Sequence, residues 1–84
     1  MADADALLEP LIPALRRYAY ALLRDHDAAD DLVQDTLERA LSRWRLRRPD
    51  GDLRAWLITI QRNLFVNHWR QRQRRGPHAS LDDV

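Results

Sequence analysis

Cysteine and lysine are both absent from this 84-residue chain, while glycine occurs twice and methionine once. Without cysteine there is neither a disulfide framework nor a zinc site built of thiolates. No apolar run approaches the roughly 20 residues that a membrane helix needs, and the acidic first residues do not read as a secretory leader. The expected location is the cytoplasm, with no membrane partner. His26, His68 and His78 are scattered, with no second ligand at helical spacing, so neither zinc binding nor general-base work is supported. Ser42 and Ser80 have no histidine nearby in sequence. Asp30-Asp31 would suit magnesium, but Gln34 stands where a third acid is needed. An enzyme, a metal site and a cofactor are therefore not expected.

What is present is a globular composition, 45% hydrophobic and 32% charged, enough for one small domain. A chain this short buries only about two-thirds of its unfolded surface. All 14 basic residues are Arg. A GC-rich genome produces that bias without function, and a preference for phosphate and base contacts produces it too. The net charge of +1 conceals a division. From Met1 to Ser42 four Arg stand against nine acids, a balance of −5. From Arg43 to Arg75 ten Arg stand against two Asp, a balance of +8. Either the halves attract each other, or they serve two partners of opposite sign.

The periodicity predicts an all-α fold, a small three-helix bundle with a basic inter-helix loop. Residues 1–9 read as a flexible acidic N-terminus. A first helix is expected near 10–23, with Pro10 or Pro13 in its first turn and a stripe of Leu8, Leu11, Leu15, Tyr18 and Leu22. A second is expected near 28–44, opened by a capping box of Asp27 and Asp30. Its buried stripe would hold Ala29, Val33, Thr36, Leu37, Ala40, Leu41 and Trp44. Asp27, Asp31 and Asp35 recur at i, i+4 with no basic residue between them, an arrangement that costs stability. The helix dipole accounts for the early acids. The repeated like charge favours a ridge that faces a partner over a merely solvated face.

The third helix is the stretch the others serve. Leu53 to Arg75 contains no Gly or Pro, follows Asp52 as N-cap, and would span roughly 34 Å. Leu53, Trp56, Leu57, Ile60 and Leu64 share one face, and Ile58, Phe65 and Trp69 lie almost opposite, so the helix should pack on two sides. Between them runs a polar edge of Thr59, Asn63, Asn67, Arg70 and Arg74, and the last turns hold Arg70, Arg72, Arg74 and Arg75 without an acid. The expected core is Leu15, Leu22, Val33, Leu37, Leu41, Trp56, Leu57, Ile60 and Leu64. Ahead of this helix, Arg43, Arg45, Arg47 and Arg48 crowd the turn Pro49-Asp50-Gly51, in which Pro fixes φ and Gly supplies freedom. Loop and helix make one basic strip interleaved with Trp44, Trp56 and Trp69. That pattern suits single-stranded DNA, with rings stacking on bases and Arg tracking the backbone. The same three rings would equally suit a core.

The run AADDLVQDTLERAL followed by LRAWLITIQRNLFVNHWRQRQRR resembles the second conserved region of bacterial sigma factors, most closely the extracytoplasmic-function class. The resemblance extends over roughly Leu11 to Arg75, so residues 10–75 are read as the helical domain. It implies a bundle that docks on the β′ clamp of core RNA polymerase and recognises and melts the promoter minus-ten element. Asp31, Gln34 and Asp35 match the docking helix, and Glu38 extends that polymerase-binding set. Asn63 matches a position that contacts promoter bases. The loop from Arg45 to Asp52 matches the segment that captures a flipped base of the non-template strand. Trp56 matches the first of two adjacent aromatics that wedge the duplex open in housekeeping sigma factors. The full expected DNA-binding set is Arg45, Arg47, Arg48, Trp56, Thr59, Asn63, Asn67, Arg70, Arg72 and Arg74. An anti-sigma factor is a further implied partner.

Two departures bear on this. Leu57 stands in place of the second aromatic, and the family's helix-turn-helix domain for the minus-thirty-five element does not occur in the sequence. Residues 76–84, GPHASLDDV, read as a linker to a missing C-terminal domain. Two other readings remain. One is a sigma-like decoy that binds an anti-sigma protein without touching DNA, whose basic strip would be expected to decay. The other is a generic helical module that applies its Arg-rich end to acidic lipids or RNA.

Overall fold

Pro10 and Pro13 decide how the chain begins. In the computed structural model, which describes the backbone of residues 3–83 and the side chains of residues 4–71, each Pro sits in the first turn of a new helical segment. Helix α1 (Asp3–Leu8) leads through a 3-10 turn (Glu9–Leu11) into α2 (Ile12–Leu23). Within the lead-in expected to be flexible, Asp3–Leu8 is thus helical, and buried Leu8 anchors it to the core. Arg24 then takes the left-handed conformation, φ 58°, and its amide donates to the Tyr20 carbonyl at 2.7 Å. A side chain there costs about 1–2 kcal/mol. The turn lets the chain re-enter extended at Asp25, whose Oδ1 accepts from the amides of Asp27 (2.9 Å) and Ala28 (3.2 Å). The N-cap is therefore Asp25, not Asp27, and α3 runs His26–Ser42. Asp27 instead supplies negative charge to the first turn. Trp44 lies beyond α3, in a 3-10 turn (Trp44–Leu46).

Helix α4 (Leu53–Asp83) opens as expected, with Asp52 Oδ1 accepting from the Ala55 amide at 3.1 Å. It runs past the expected end at residue 74. The Arg- and Gln-rich run ahead of Gly76 is made of strong helix formers, which accounts for the helix as far as Arg75; its continuation through Gly76-Pro77 goes against the preference of both residues. Among the described residues there is no strand, and the three-helix bundle stands as α2, α3 and α4.

The core joins Leu8, Leu15 and Ala19 to Ala29, Leu32, Val33 and Ala40 of α3, and to Leu57, Ile60 and Leu64 of α4. Leu22, Leu37 and Trp56 are half-buried at its edge. Leu41 is 47% exposed, against expectation. The reason is that Ala29, Thr36 and Ala40 occupy the centre of α3's inner face, where small side chains let neighbouring helices come close. Leu41, one step round from Ala40, is turned out. Ile58 and Phe65 pack on the core from the second side of α4, whereas Trp69 is 53% exposed.

Two polar side chains are fully buried, Thr36 and Gln61. Gln61 Nε2 donates to the Leu15 carbonyl at 3.0 Å. Thr36 Oγ1 lies 2.8 Å from the Leu32 carbonyl and 3.3 Å from Gln61 Oε1. A hydroxyl has one proton to donate, so Leu32 holds it at the shorter distance and Gln61 shares it. Gln61 thereby ties α2, α3 and α4 at one point.

Candidate functional site

Two surfaces collect the residues with chemistry. On α3 the side turned away from the core carries Asp31, Gln34 and Glu38, all exposed, with Asp35 half-buried among them. Asp27 extends the same ridge, while Asp30 pairs with Arg16 across to α2, Nε to Oδ1 3.2 Å, both partly solvated. An exposed pair of this kind is worth little, a fraction of 1 kcal/mol. Beside the ridge lies an apolar groove of about 360 Å³, floored by Leu8, Ile12, Leu37 and Leu41 and rimmed by Asp5 and Glu9. Sequence reasoning found the acids and missed the groove, because it assigned Leu37 and Leu41 to the core.

The second surface starts at the inter-helix loop. Arg48 to Gly51 closes as a turn, with the Gly51 amide donating to the Arg48 carbonyl at 2.9 Å. Gly51 does not adopt positive φ, so conformational freedom is not its role. A Cβ there would meet the Arg48 carbonyl oxygen at 3.3 Å, a tight approach that the turn would have to relieve by a small shift, so glycine's small size is what suits it here. Between the turn and the first turn of α4 is a recess of about 410 Å³, bounded by Arg47, Arg48, Asp50, Asp52 and Trp56. Trp56 meets Trp44 edge-on, ring centroids 6.1 Å apart. The Arg47 guanidinium lies over the Trp44 ring, 4.0 Å from its centroid.

From the recess, Thr59, Asn63, Asn67 and Arg70 continue along α4, all exposed and at three- and four-residue spacing, so they form one stripe. Of the expected DNA-binding residues, Arg47, Arg48 and Trp56 share the recess and Arg45 is exposed in the preceding 3-10 turn. The side chains of Arg72 and Arg74 lie outside the described residues. Gln61 was not foreseen at all, although its place one turn after Leu57 was the available signal.

A third recess, about 450 Å³, opens between α2 and α3 beside Arg16, Arg17 and Asp30. Tyr20 and His26 stack in it with centroids 4.3 Å apart. No helix among the described residues is long and apolar enough to cross a membrane, and no group of three or more His, Cys, Asp or Glu among them could hold a metal.

Comparison with known proteins places this geometry in a family. Residues 8–61 match the family model described as the sigma2 domain of PhyR. The ECF RNA polymerase sigma factor EcfG of Rhodopseudomonas palustris is 49% identical over 63 residues, which cover 75% of this chain and 35% of that protein. SigL of Mycobacterium tuberculosis, also an ECF RNA polymerase sigma factor, is 37% identical over 81 residues, 92% of this chain and 44% of that one. Among solved structures, the sigma factor RpoE from Bartonella quintana, co-crystallised with the anti-sigma factor NepR, superposes with a TM-score of 0.88 and 39% identity. That match covers all of this chain and 51% of the other. The chain thus spans about a third to a half of the length of these relatives. With more than half of its residues inside one family model and the fold of a sigma factor, the chain belongs to the sigma2 family, as a region-two domain of the ECF type of RNA polymerase sigma factor.

Proposed function

We propose that the domain acts in transcription initiation. It docks on the β′ clamp of RNA polymerase through the outer side of α3, and it captures the non-template strand of the promoter minus-ten element on the loop and α4. The observation that carries the DNA half is the recess of about 410 Å³ at Arg47, Arg48 and Trp56, with the exposed Thr59–Asn63–Asn67 stripe following Trp56 along the same helix at three- and four-residue spacing. Its size falls within the roughly 300–1,000 Å³ of small-ligand clefts, which suits one unstacked base. Extruding a base costs a few kcal/mol, and stacking offsets it at about 1–3 kcal/mol per base. The domain has no nucleotide-hydrolysis motif, so melting must be driven by such capture together with polymerase. The docking half is supported by the acidic ridge and the apolar groove beside it, a surface suited to a basic amphipathic helix. On this reading the exposure of Leu41 is functional.

Charge reversal by Asp31→Arg with Asp35→Arg is expected to weaken binding to core polymerase by roughly tenfold or more, because rim charges set encounter and partner choice. Helicity by circular dichroism should not change. Undiminished polymerase binding by the double variant would remove the docking assignment.

Asn63→Ala tests the DNA surface. A side chain that hydrogen-bonds a base edge carries about 1–3 kcal/mol of discrimination. Its loss should relax preference at one position of a single-stranded minus-ten oligonucleotide and leave the salt dependence of binding intact. If about four Arg contact phosphate, log K against log salt should have a slope near −3, from roughly −0.7 per contact. Uniform weakening of every sequence by Asn63→Ala would instead make it a structural residue.

A second reading, a sigma-like decoy for an anti-sigma protein, draws on the relative that was solved with NepR. It predicts anti-sigma binding without binding to polymerase or DNA. The exposed Arg45, Arg48 and Arg70 favour the first reading, since a decoy has no use for them.

A further inference from the structure

The three arginines that follow Trp44 are not alike. Arg45 and Arg48 are exposed, as a side chain that tracks phosphate must be. Arg47 is half-buried, with its guanidinium over the Trp44 ring at 4.0 Å and its Nε buried without a hydrogen-bond partner. A guanidinium held over an indole face is drawn to it by cation–π attraction, and its delocalised, weakly hydrated charge suits that place better than the compact, strongly hydrated ammonium of lysine. Trp44 in turn meets Trp56 edge-on at 6.1 Å, and Trp56 is fixed in the first turns of α4, which Asp52 caps. The result is a continuous chain of contacts from loop to helix, Arg47 over Trp44 and Trp44 edge-on to Trp56. Both of its outer members, Arg47 and Trp56, form walls of the recess.

We propose that Arg47 is the positioning residue of this recess: it holds the Trp44–Trp56 pair in place and so presents the wall of Trp56 to a captured base, rather than contacting phosphate itself. This assignment rests on the reading of the recess as a base-capture site. It also divides the basic loop into two functions, with Arg45 and Arg48 on the backbone of the strand and Arg47 on the shape of the site. The residue expected from its charge to be one more phosphate contact has its guanidinium face occupied by its own domain.

The test uses the 84-residue chain with Trp69→Phe as background, so that the long-wavelength indole bands of the near-ultraviolet circular dichroism, beyond the absorption of Tyr18 and Tyr20, report only Trp44 and Trp56. Arg47→Lys retains the charge and loses the planar guanidinium; Arg47→Met loses the charge and retains most of the aliphatic stem. Both should change the signal of the coupled indoles in the free protein. On single-stranded minus-ten oligonucleotides, both should lower affinity by roughly tenfold, the loss of one base stack. The salt slope should stay as it was. On an oligonucleotide made abasic at the captured position, found as the one position where base removal most weakens the parent chain, both should bind like the parent.

Parent-like binding by Arg47→Lys, with Arg47→Met flattening the salt slope by about 0.7, would overturn the proposal and make Arg47 a phosphate contact. Should the parent chain bind no single-stranded DNA, the base-capture reading fails. The indole signal of the two variants still decides the positioning role, and an unchanged signal overturns it.

Discussion

Gln61→Glu is expected to cost about 3–5 kcal/mol of stability at pH 7, the scale of an uncompensated buried charge, and to cost far less at pH 4. Gln61 is fully buried, with its Nε2 against the Leu15 carbonyl and its Oε1 near the Thr36 hydroxyl. A carboxylate at this place would keep the Thr36 contact and would turn an acceptor toward the Leu15 carbonyl, leaving two acceptors face to face. A protonated carboxyl has nearly the shape of the amide and could again donate to Leu15. The new carboxyl would therefore have its folded-state pKa raised above the roughly 4.3 of an unfolded Glu. The sign follows from linkage: between the two values the folded form binds more protons, so stability falls as pH rises. The penalty is absent below about pH 4 and complete once pH exceeds the folded value. Urea denaturation of variant and parent at each pH measures it, the parent correcting for the other titrating acids. An equal penalty at pH 4 and pH 7 would show that shape, not charge, is at fault.

Leu57→Ala is expected to cost about 2–5 kcal/mol, the transfer term plus the cavity left behind. Leu57 has no exposed surface, sits in the middle of the core stripe of α4, and lies four residues before Gln61 on the same face. A domain of this length has about 4–13 kcal/mol in total, at 0.05–0.15 kcal/mol per residue. The variant should therefore show a clear drop in denaturation midpoint and, toward the upper end of that cost, a partly unfolded population at 37 °C. Leu41→Ala is the control on the same apolar residue type. Leu41 is 47% exposed, and its truncation should change stability by no more than about 0.5 kcal/mol. If the two truncations cost the same, the placement of Leu41 outside the core is wrong.

Much of the candidate site was legible in the linear chain. The ridge of Asp31, Gln34, Asp35 and Glu38 follows from 3.6-residue periodicity, since these positions are opposite the small apolar ones on α3. The stripe of Thr59, Asn63, Asn67 and Arg70 follows in the same way from α4. Asp52 as a cap was readable from its place before a run without Gly or Pro. The apolar groove was not, because Leu37 and Leu41 satisfy a core pattern as well as a binding surface, and hydropathy alone does not distinguish the two. Nor was the separate character of Arg47 among four neighbouring arginines.

The sequence by itself determined that the domain is helical, where its three main helices begin to within a few residues, and that acids and arginines are separated along the chain. These are local properties, set by i to i+4 spacing, capping chemistry and composition. The tertiary structure decided which of two adjacent side chains on a helix goes inside. Ala40 is buried and Leu41 is not, although leucine is the more apolar, and Gln61 is fully buried although it is polar. It also decided that Asp25 and not Asp27 caps α3, through the left-handed turn at Arg24. And it brought Arg47, Trp44 and Trp56 into one chain of contacts. The physical reason is common to all of these. Periodicity defines a face only to within about one residue's 100° rotation, while the closeness of the neighbouring helix and the partners it offers fix which side chain fits there and which polar group can be satisfied.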